Sequence, residues 1–255
     1  MQITNARHKF DLFRREIILV ALLLVGFMSV GQEKIKENLA DYDEQWIHFG
    51  FLMGIHTSHY QTEYAPIFTT PTMDSVHSIV PGNQGGFKLG FVVNMFMFQY
   101  LDFRILPTVG FYEYDLTYRY VDESTLRELK DATMMELPIL LKYKSVRRGN
   151  VAMYLVGGFN PQWEAAGKGD EIISGDVLEL KNFNFAVDLG VGFDMYYPLF
   201  KFSPELRYSW GRRNLLPDSK NSLSLNFDRI VTHNLGLFIT FEGGPSYLKR
   251  RKKQK

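Results

Sequence analysis

The stretch NFNFAVDLGVGFDMYY, residues 182–197, decides the fold. Phe183, Phe185, Val187, Leu189, Val191, Phe193 and Met195 occupy every second position. Asn182, Asn184, Ala186, Asp188, Gly190, Gly192 and Asp194 lie between them. A period of two is that of a β-strand, whose successive side chains point to opposite faces. One face is apolar throughout. The other carries two carboxylates and two glycines. The fold depends on what each face meets.

The same alternation recurs along the chain, in residues 47–58, 86–96, 101–111, 135–143, 151–163, 200–210 and 231–241. With the opening stretch this makes eight expected strands, each near the roughly 9–11 residues that cross a bilayer obliquely. Soluble strands are usually about five or six residues long. The connections alternate in length. Residues 59–84, 121–132, 166–178 and 212–228 form long ones; 97–100, 145–150 and 197–199 form short ones. Short turns at one end and long loops at the other are the habit of outer-membrane barrels. The expected fold class is therefore all-β, an eight-stranded antiparallel transmembrane β-barrel. A soluble sandwich or lipocalin-like barrel shares the alternation, but gives no reason for every second loop to be short.

The N-terminus agrees. Arg7, Lys9, Arg14 and Arg15 precede the apolar run IILVALLLVGF, residues 17–27, which is too short to span as a helix. Ser29 and Gly31 fit a signal-peptidase site. The expected organisation is a signal peptide over 1–31, a short periplasmic segment over 32–45, the barrel over 46–242 and a basic tail over 243–255. An uncleaved N-terminal anchor is the alternative for the first segment. The expected location is the cell outer membrane with both termini periplasmic.

Composition removes several functions. The 255-residue chain has a net charge of +1, which does not point to nucleic acid. It has no cysteine, which excludes disulfides, thiolate metal sites and cysteine nucleophiles.

The polar parity of the strands collects charges of both signs. On a lipid face each Lys or Arg at mid-depth would cost roughly 2–4 kcal/mol. Turned inward, the same groups can pair in a lumen just wide enough for side chains. The expected lumenal network comprises Lys88, Arg104, Glu136, Lys142, Asp188, Asp194, Glu205 and Arg207. Gly50, Gly54, Gly90, Gly190 and Gly192 are expected to leave room for long Arg and Lys side chains. Tyr112, Tyr114, Tyr118, Tyr120, Tyr196, Tyr197 and Trp210 are expected as interfacial girdles. Pro107, Pro138, Pro161 and Pro204 fall inside strands, where a missing N–H predicts bulges or strand ends. Residues 124–130 carry a short helical pattern.

ELPILLKYKSVRRGNVAMYLVGG (136–158) and VDLGVGFDMYYPLFKFSPELRYSWGRRNLL (187–216) resemble the PorT family, and HFGFLMG (48–54) resembles its first strand. The resemblance runs over about residues 46–242 and does not include the tail KRRKKQK. It implies an outer-membrane barrel required by type IX secretion, which exports cargo with C-terminal sorting domains and in some bacteria supports gliding. It implies no catalytic residues and no cofactor. The expected partners are outer-membrane lipid and other secretion components, with no nucleic acid and no small-molecule substrate.

Two other readings are a general OmpA-like structural barrel and a lipid-A-modifying enzyme. The enzyme would use His56, Ser58, Glu164 and Ser209, expected inward near the extracellular rim. His59, His77, Asp74 and Glu63 share a stretch in which a loop metal site is the weaker reading. The cationic tail, residues 249–253, reads as a solvated segment or a contact for an acidic partner or head group.

Overall fold

The computed structural model describes residues 37–40, 42–66, 76–166, 180–217 and 224–243. The expected signal peptide, the tail beyond Gly243, Asp74 and most of the connection after residue 166 lie outside them.

Eleven strands form one antiparallel sheet: β1 Ile47–Tyr64, β2 Val76–Gly82, β3 Gln84–Phe98, β4 Leu101–Ile105, β5 Thr108–Tyr120, β6 Thr125–Glu136, β7 Ile139–Lys144, β8 Val151–Ala166, β9 Phe183–Tyr196, β10 Phe200–Gly211 and β11 Phe227–Gly243. β1 pairs with both β3 and β11, β11 with β10, β10 with β9 and β9 with β8. β8 pairs with β6 and β7, which pair with β5 and β4, and both of these pair with β3. Among the described residues the staves close into a ring, through the β8–β9 and β3–β5 pairings.

Prolines account for two of the three interruptions that divide eight staves into eleven strands. β4 and β5 are one stave interrupted at Leu106 and Pro107, and β6 and β7 are one interrupted at Leu137 and Pro138. The register on either side of each gap is the same. Single bonds carry the ladder across: Phe91 N to Pro107 O, Leu106 N to Pro138 O and Leu137 N to Pro161 O, each 3.0 Å. The expected strand ends thus occur at Pro107 and Pro138. At Pro161 and Pro204 the strands run through without a bulge. The β9–β10 ladder omits only Ser203 and Pro204, in unchanged register. The third interruption lies at Asn83: β2 continues the stave of β3 and pairs with β5 from Gly82↔Asp115 to Val76↔Tyr120.

Outward residues form an apolar belt. Phe49, Phe51, Phe91, Leu155, Phe159, Leu189 and Leu237 are among its exposed members. A contiguous apolar surface of this extent is a membrane surface, because soluble monomers rarely expose more than a few hundred Å² together.

Two local expectations are corrected. Residues 121–132 are not a long loop. β5 and β6 continue past the belt to a tight turn, where Asp122 Oδ1 accepts Ser124 N at 3.0 Å and Ser124 Oγ at 2.6 Å, and Glu123 has φ 65°. Residues 125–130 are strand, not helix. Pairing with β5 from Arg119↔Thr125 onward overrides a weak local helical pattern.

Candidate functional site

The lumen is the chemically distinctive part of the molecule. All eight residues expected there are buried inside the ring. Among the described residues, apart from Asp115, which pairs with exposed Arg127 on the outside, the buried charges are six cations (Lys88, Arg104, Lys142, Lys144, Lys201, Arg207) and six carboxylates (Asp102, Glu136, Asp188, Asp194, Glu205, Glu242).

Arg104 is the centre. Its guanidinium reaches Glu205 Oε2 at 3.1 Å and Glu242 Oε1 at 2.9 Å, with all three side chains fully buried. A planar fork with several donors suits such a bridge better than an ammonium. Glu242 also takes Lys201 at 2.8 Å. Glu205 takes Tyr154 Oη at 2.9 Å and the Arg207 guanidinium. Lys142 meets Asp194 at 2.6 Å and lies 3.8 Å from the Tyr154 ring centroid. Ser203 Oγ donates to Asp194 at 2.6 Å. Nearer the long connections, Lys88 pairs with Glu136 at 2.9 Å, and Glu136 accepts Tyr112 Oη and, at 2.8 Å, Asn160 Nδ2. Asp188 stands most apart, 3.8 Å from Arg207 Nη1. Desolvation offsets much of the attraction in such pairs, but removing one partner strands a buried charge.

The short-turn end is stoppered by the chain's own N-terminal segment. The 3₁₀ turn Tyr42–Glu44 places the Tyr42 ring on His48, with centroids 3.9 Å apart. Tyr42 Oη donates to Glu242 Oε2 at 3.1 Å. Burial, and then the neighbouring Glu242 carboxylate, push the Tyr42 phenol above its ordinary pKa, so it remains a donor. Asn38 Nδ2 donates to Tyr196 O at 3.0 Å, and Tyr196 Oη to Asp43 Oδ1 at 3.1 Å. Arg147 covers the Tyr196 ring at 3.9 Å and donates to Asn38 O.

At the other end the filling is apolar. Tyr60, Ile79, Tyr114, Leu116, Tyr118, Leu215, Leu216, Phe227 and Ile230 pack together there. The expected tyrosine girdle is therefore corrected. Tyr112, Tyr114, Tyr118 and Tyr196 point inward and are buried, while Tyr197 and Trp210 are exposed on the wall. Tyr112, Tyr114, Tyr118 and Tyr196 fall on the inward parity of β5 and β9, and Tyr120 packs against the same inner cluster, so lying near a strand end does not put a ring on the lipid face. The role of several glycines is also corrected. A side chain at Gly54 or Gly236 would meet the Phe238 ring, and one at Gly192 would meet the Tyr154 ring. Their absent Cβ atoms make room for aromatics, which then carry the cations: Arg207 lies 4.7 Å from the Phe238 centroid.

Sequence reasoning missed several participants, among them Lys144, Tyr154, Glu242 and Tyr42. Glu242 continues the inward row of β11, one residue beyond Phe241, so extending the period would have found it. Tyr42 lies in a stretch with no period, and nothing local marks it.

The residues considered for catalysis are not joined. Ser58 Oγ donates to Glu113 O at 3.1 Å, Glu164 pairs with Lys130 at 3.4 Å, and His56 stands edge-on to the Tyr112 ring at 4.3 Å. His59 stacks on His233 across the β1–β11 pair, and Glu63 faces Arg229 at 3.5 Å.

Comparison with known proteins adds an independent line. The family model described as Outer membrane protein beta-barrel domain matches residues 38–216. No curated protein matches the chain. The crystal structure of the outer membrane protein OprG from Pseudomonas aeruginosa is 13% identical, covering 77% of this chain and 91% of that one with a TM-score of 0.43. Neisserial surface protein A is 12% identical, covering 76% and 96% with a TM-score of 0.39.

Proposed function

The chain belongs to the outer membrane protein beta-barrel domain family, and from that premise we propose that it is a non-catalytic accessory barrel of type IX protein secretion. The secretion assignment rests on the resemblance of residues 136–158 and 187–216 to the PorT family. The mode of action rests on one observation, the filled lumen. Arg104, Lys142 and Glu242 occupy its centre fully buried, and Tyr42 stoppers one end. A barrel so filled does not conduct folded cargo. It acts through its wall and its long connections, holding a larger translocon component in place. The termini are periplasmic in this reading, with the short turns and the Tyr42–Glu44 stopper on that side.

A clean deletion tests the role. Cargo with C-terminal sorting domains should accumulate inside the cell, and gliding should be lost where it depends on the system, while other barrels remain inserted. Normal export in the deletion strain would sink the reading. Envelope fragility with intact cargo release would instead favour a general OmpA-like structural barrel, a reading supported by the breadth of the matching family. Lipid-A mass spectra from the same strain should be unchanged, and an altered spectrum would revive the enzyme.

A further inference from the structure

The outward rows of the neighbouring strands β10 and β11 change character together at the long-connection end. In β10 the row runs Phe202, Pro204, Leu206, Tyr208 and Trp210, and the next outward residue is Arg212. The Arg212 guanidinium lies 4.4 Å from the Trp210 ring centroid, which fixes it on the outer wall. Its backbone N still bonds Phe185 O at 2.8 Å, so the ladder has not ended there. Arg213 lies 4.9 Å from the ring of Phe183, the first outward residue of β9. In β11 the outward row ends at Arg229, whose Nη2 donates to Arg212 O at 3.4 Å. Glu63 offsets one of these three charges.

An arginine at mid-depth on the lipid face costs roughly 2–4 kcal/mol, falling to about 0–1 kcal/mol at the interface. The step from Trp210 to Arg212 therefore marks the boundary between hydrocarbon and head groups. The opposite wall differs. Beyond Phe111, the outward row of β5 continues with Glu113, which faces Asp131 of β6 directly. Just past the apolar belt the wall thus carries Arg212, Arg213 and Arg229 beside β9–β11, with Asp228 exposed next to Arg229, and the Glu113–Asp131 pair on β5–β6, where Arg119 and Arg127 follow further out.

We propose that the cationic arc formed by Arg212, Arg213 and Arg229 is a docking surface for a phosphorylated glycolipid head group of the outer leaflet, with its acyl chains against Trp210, Phe183 and Trp163. This rests on the outer-membrane reading, with the long connections outside. Charge selects the phosphate. The aromatic row directly below it, with Trp163 and Phe183 centroids 5.5 Å apart, selects a ligand that also carries chains. Guanidinium suits phosphate because it offers two parallel donors.

The test uses the full barrel purified in detergent, with bound lipid read by native mass spectrometry. The probes are bisphosphorylated lipid A, the same lipid dephosphorylated, and phosphatidylglycerol. Bisphosphorylated lipid A should bind best, and Arg212→Gln with Arg213→Gln should weaken it about tenfold or more. Heat-modifiable mobility checks that this variant is folded. Glu113→Gln with Asp131→Asn on the opposite wall should not weaken binding. Equal binding of the dephosphorylated lipid, or unchanged binding by the double arginine variant, would overturn the proposal. Phosphatidylglycerol binding as well as lipid A would overturn the glycolipid assignment. The readout is independent of cargo export, so failure here and failure of the secretion role are separable.

Discussion

The lower and upper parts of the lumen are walled by the same strands but filled with different chemistry. β5 passes through both. Near the short-turn end it turns Val109 and Phe111 outward and Thr108 and Gly110 inward. Past Gly110 it turns Tyr112, Tyr114, Leu116 and Tyr118 inward, and Glu113, Thr117 and Arg119 outward. The amphipathic rule inverts within one strand. Below, lipid surrounds the wall, so apolar side chains face out and charged ones must pair inside. Above, water surrounds the wall, and the strands bury apolar side chains as soluble sheets do. Being inward does not decide what a residue is; the medium on the far side does.

The two fillings should fail differently. The largest effect is expected at Arg104. Arg104→Met leaves Glu205 and Glu242 buried without their bridge and should cost about 4 kcal/mol. The temperature at which detergent-extracted protein loses its folded gel mobility should fall sharply. Arg104→Lys should cost less, since it keeps the charge and loses the fork. If the two variants melt alike, the charge alone is worth nothing without the fork; if Arg104→Lys melts like the wild type, the two-carboxylate bridge is not what matters.

The apolar end should yield a smaller and local loss. Leu116→Ala should cost about 3 kcal/mol from transfer and cavity terms. Its signature is faster proteolysis at the long-connection end with little change in barrel mobility. A barrel that melts as early as Arg104→Met would erase the distinction between the two regions.

Tyr42→Phe should cost about 1.5 kcal/mol, the worth of a hydrogen bond to a charged group. The deficit should also depend on pH. The phenol's pKa is raised in the folded state, so its stabilisation is complete below the ordinary tyrosine value of about 10 and declines above it. Melting temperatures of wild type and Tyr42→Phe should therefore converge as pH rises past about 10. A gap that stays constant in alkali would exclude this linkage. The smallest effect belongs to Arg127, which is exposed and pairs with Asp115 at the rim. Arg127→Ala should leave the melting temperature unchanged, as most surface ion pairs do.

Much of this was legible in the chain. The period of two in residues 182–197, repeated through eight runs, is enough for the staves, for the polar parity and for all eight lumenal residues named from it. Periodicity is a property of one strand, and one strand suffices to read it. The prolines were only half readable: the missing N–H ends strands at Pro107 and Pro138, but at Pro161 and Pro204 the strands run through. The tyrosines were not readable. Tyr114 and Tyr118 have the same composition and spacing whether they ring the membrane or fill a cap. Where the apolar belt stops is a collective property of neighbouring strands.

What the sequence determined by itself was alternation: which residues share a face, and that one face is too apolar and the other too charged for an ordinary soluble sheet. Only the tertiary structure decided the partners. Arg104 is 101 residues from Glu205 and 138 from Glu242, and Tyr42 is 200 residues from the same Glu242. Those distances collapse only when β11 closes against β1, because register between distant strands is set by the closed ring and by no local pattern.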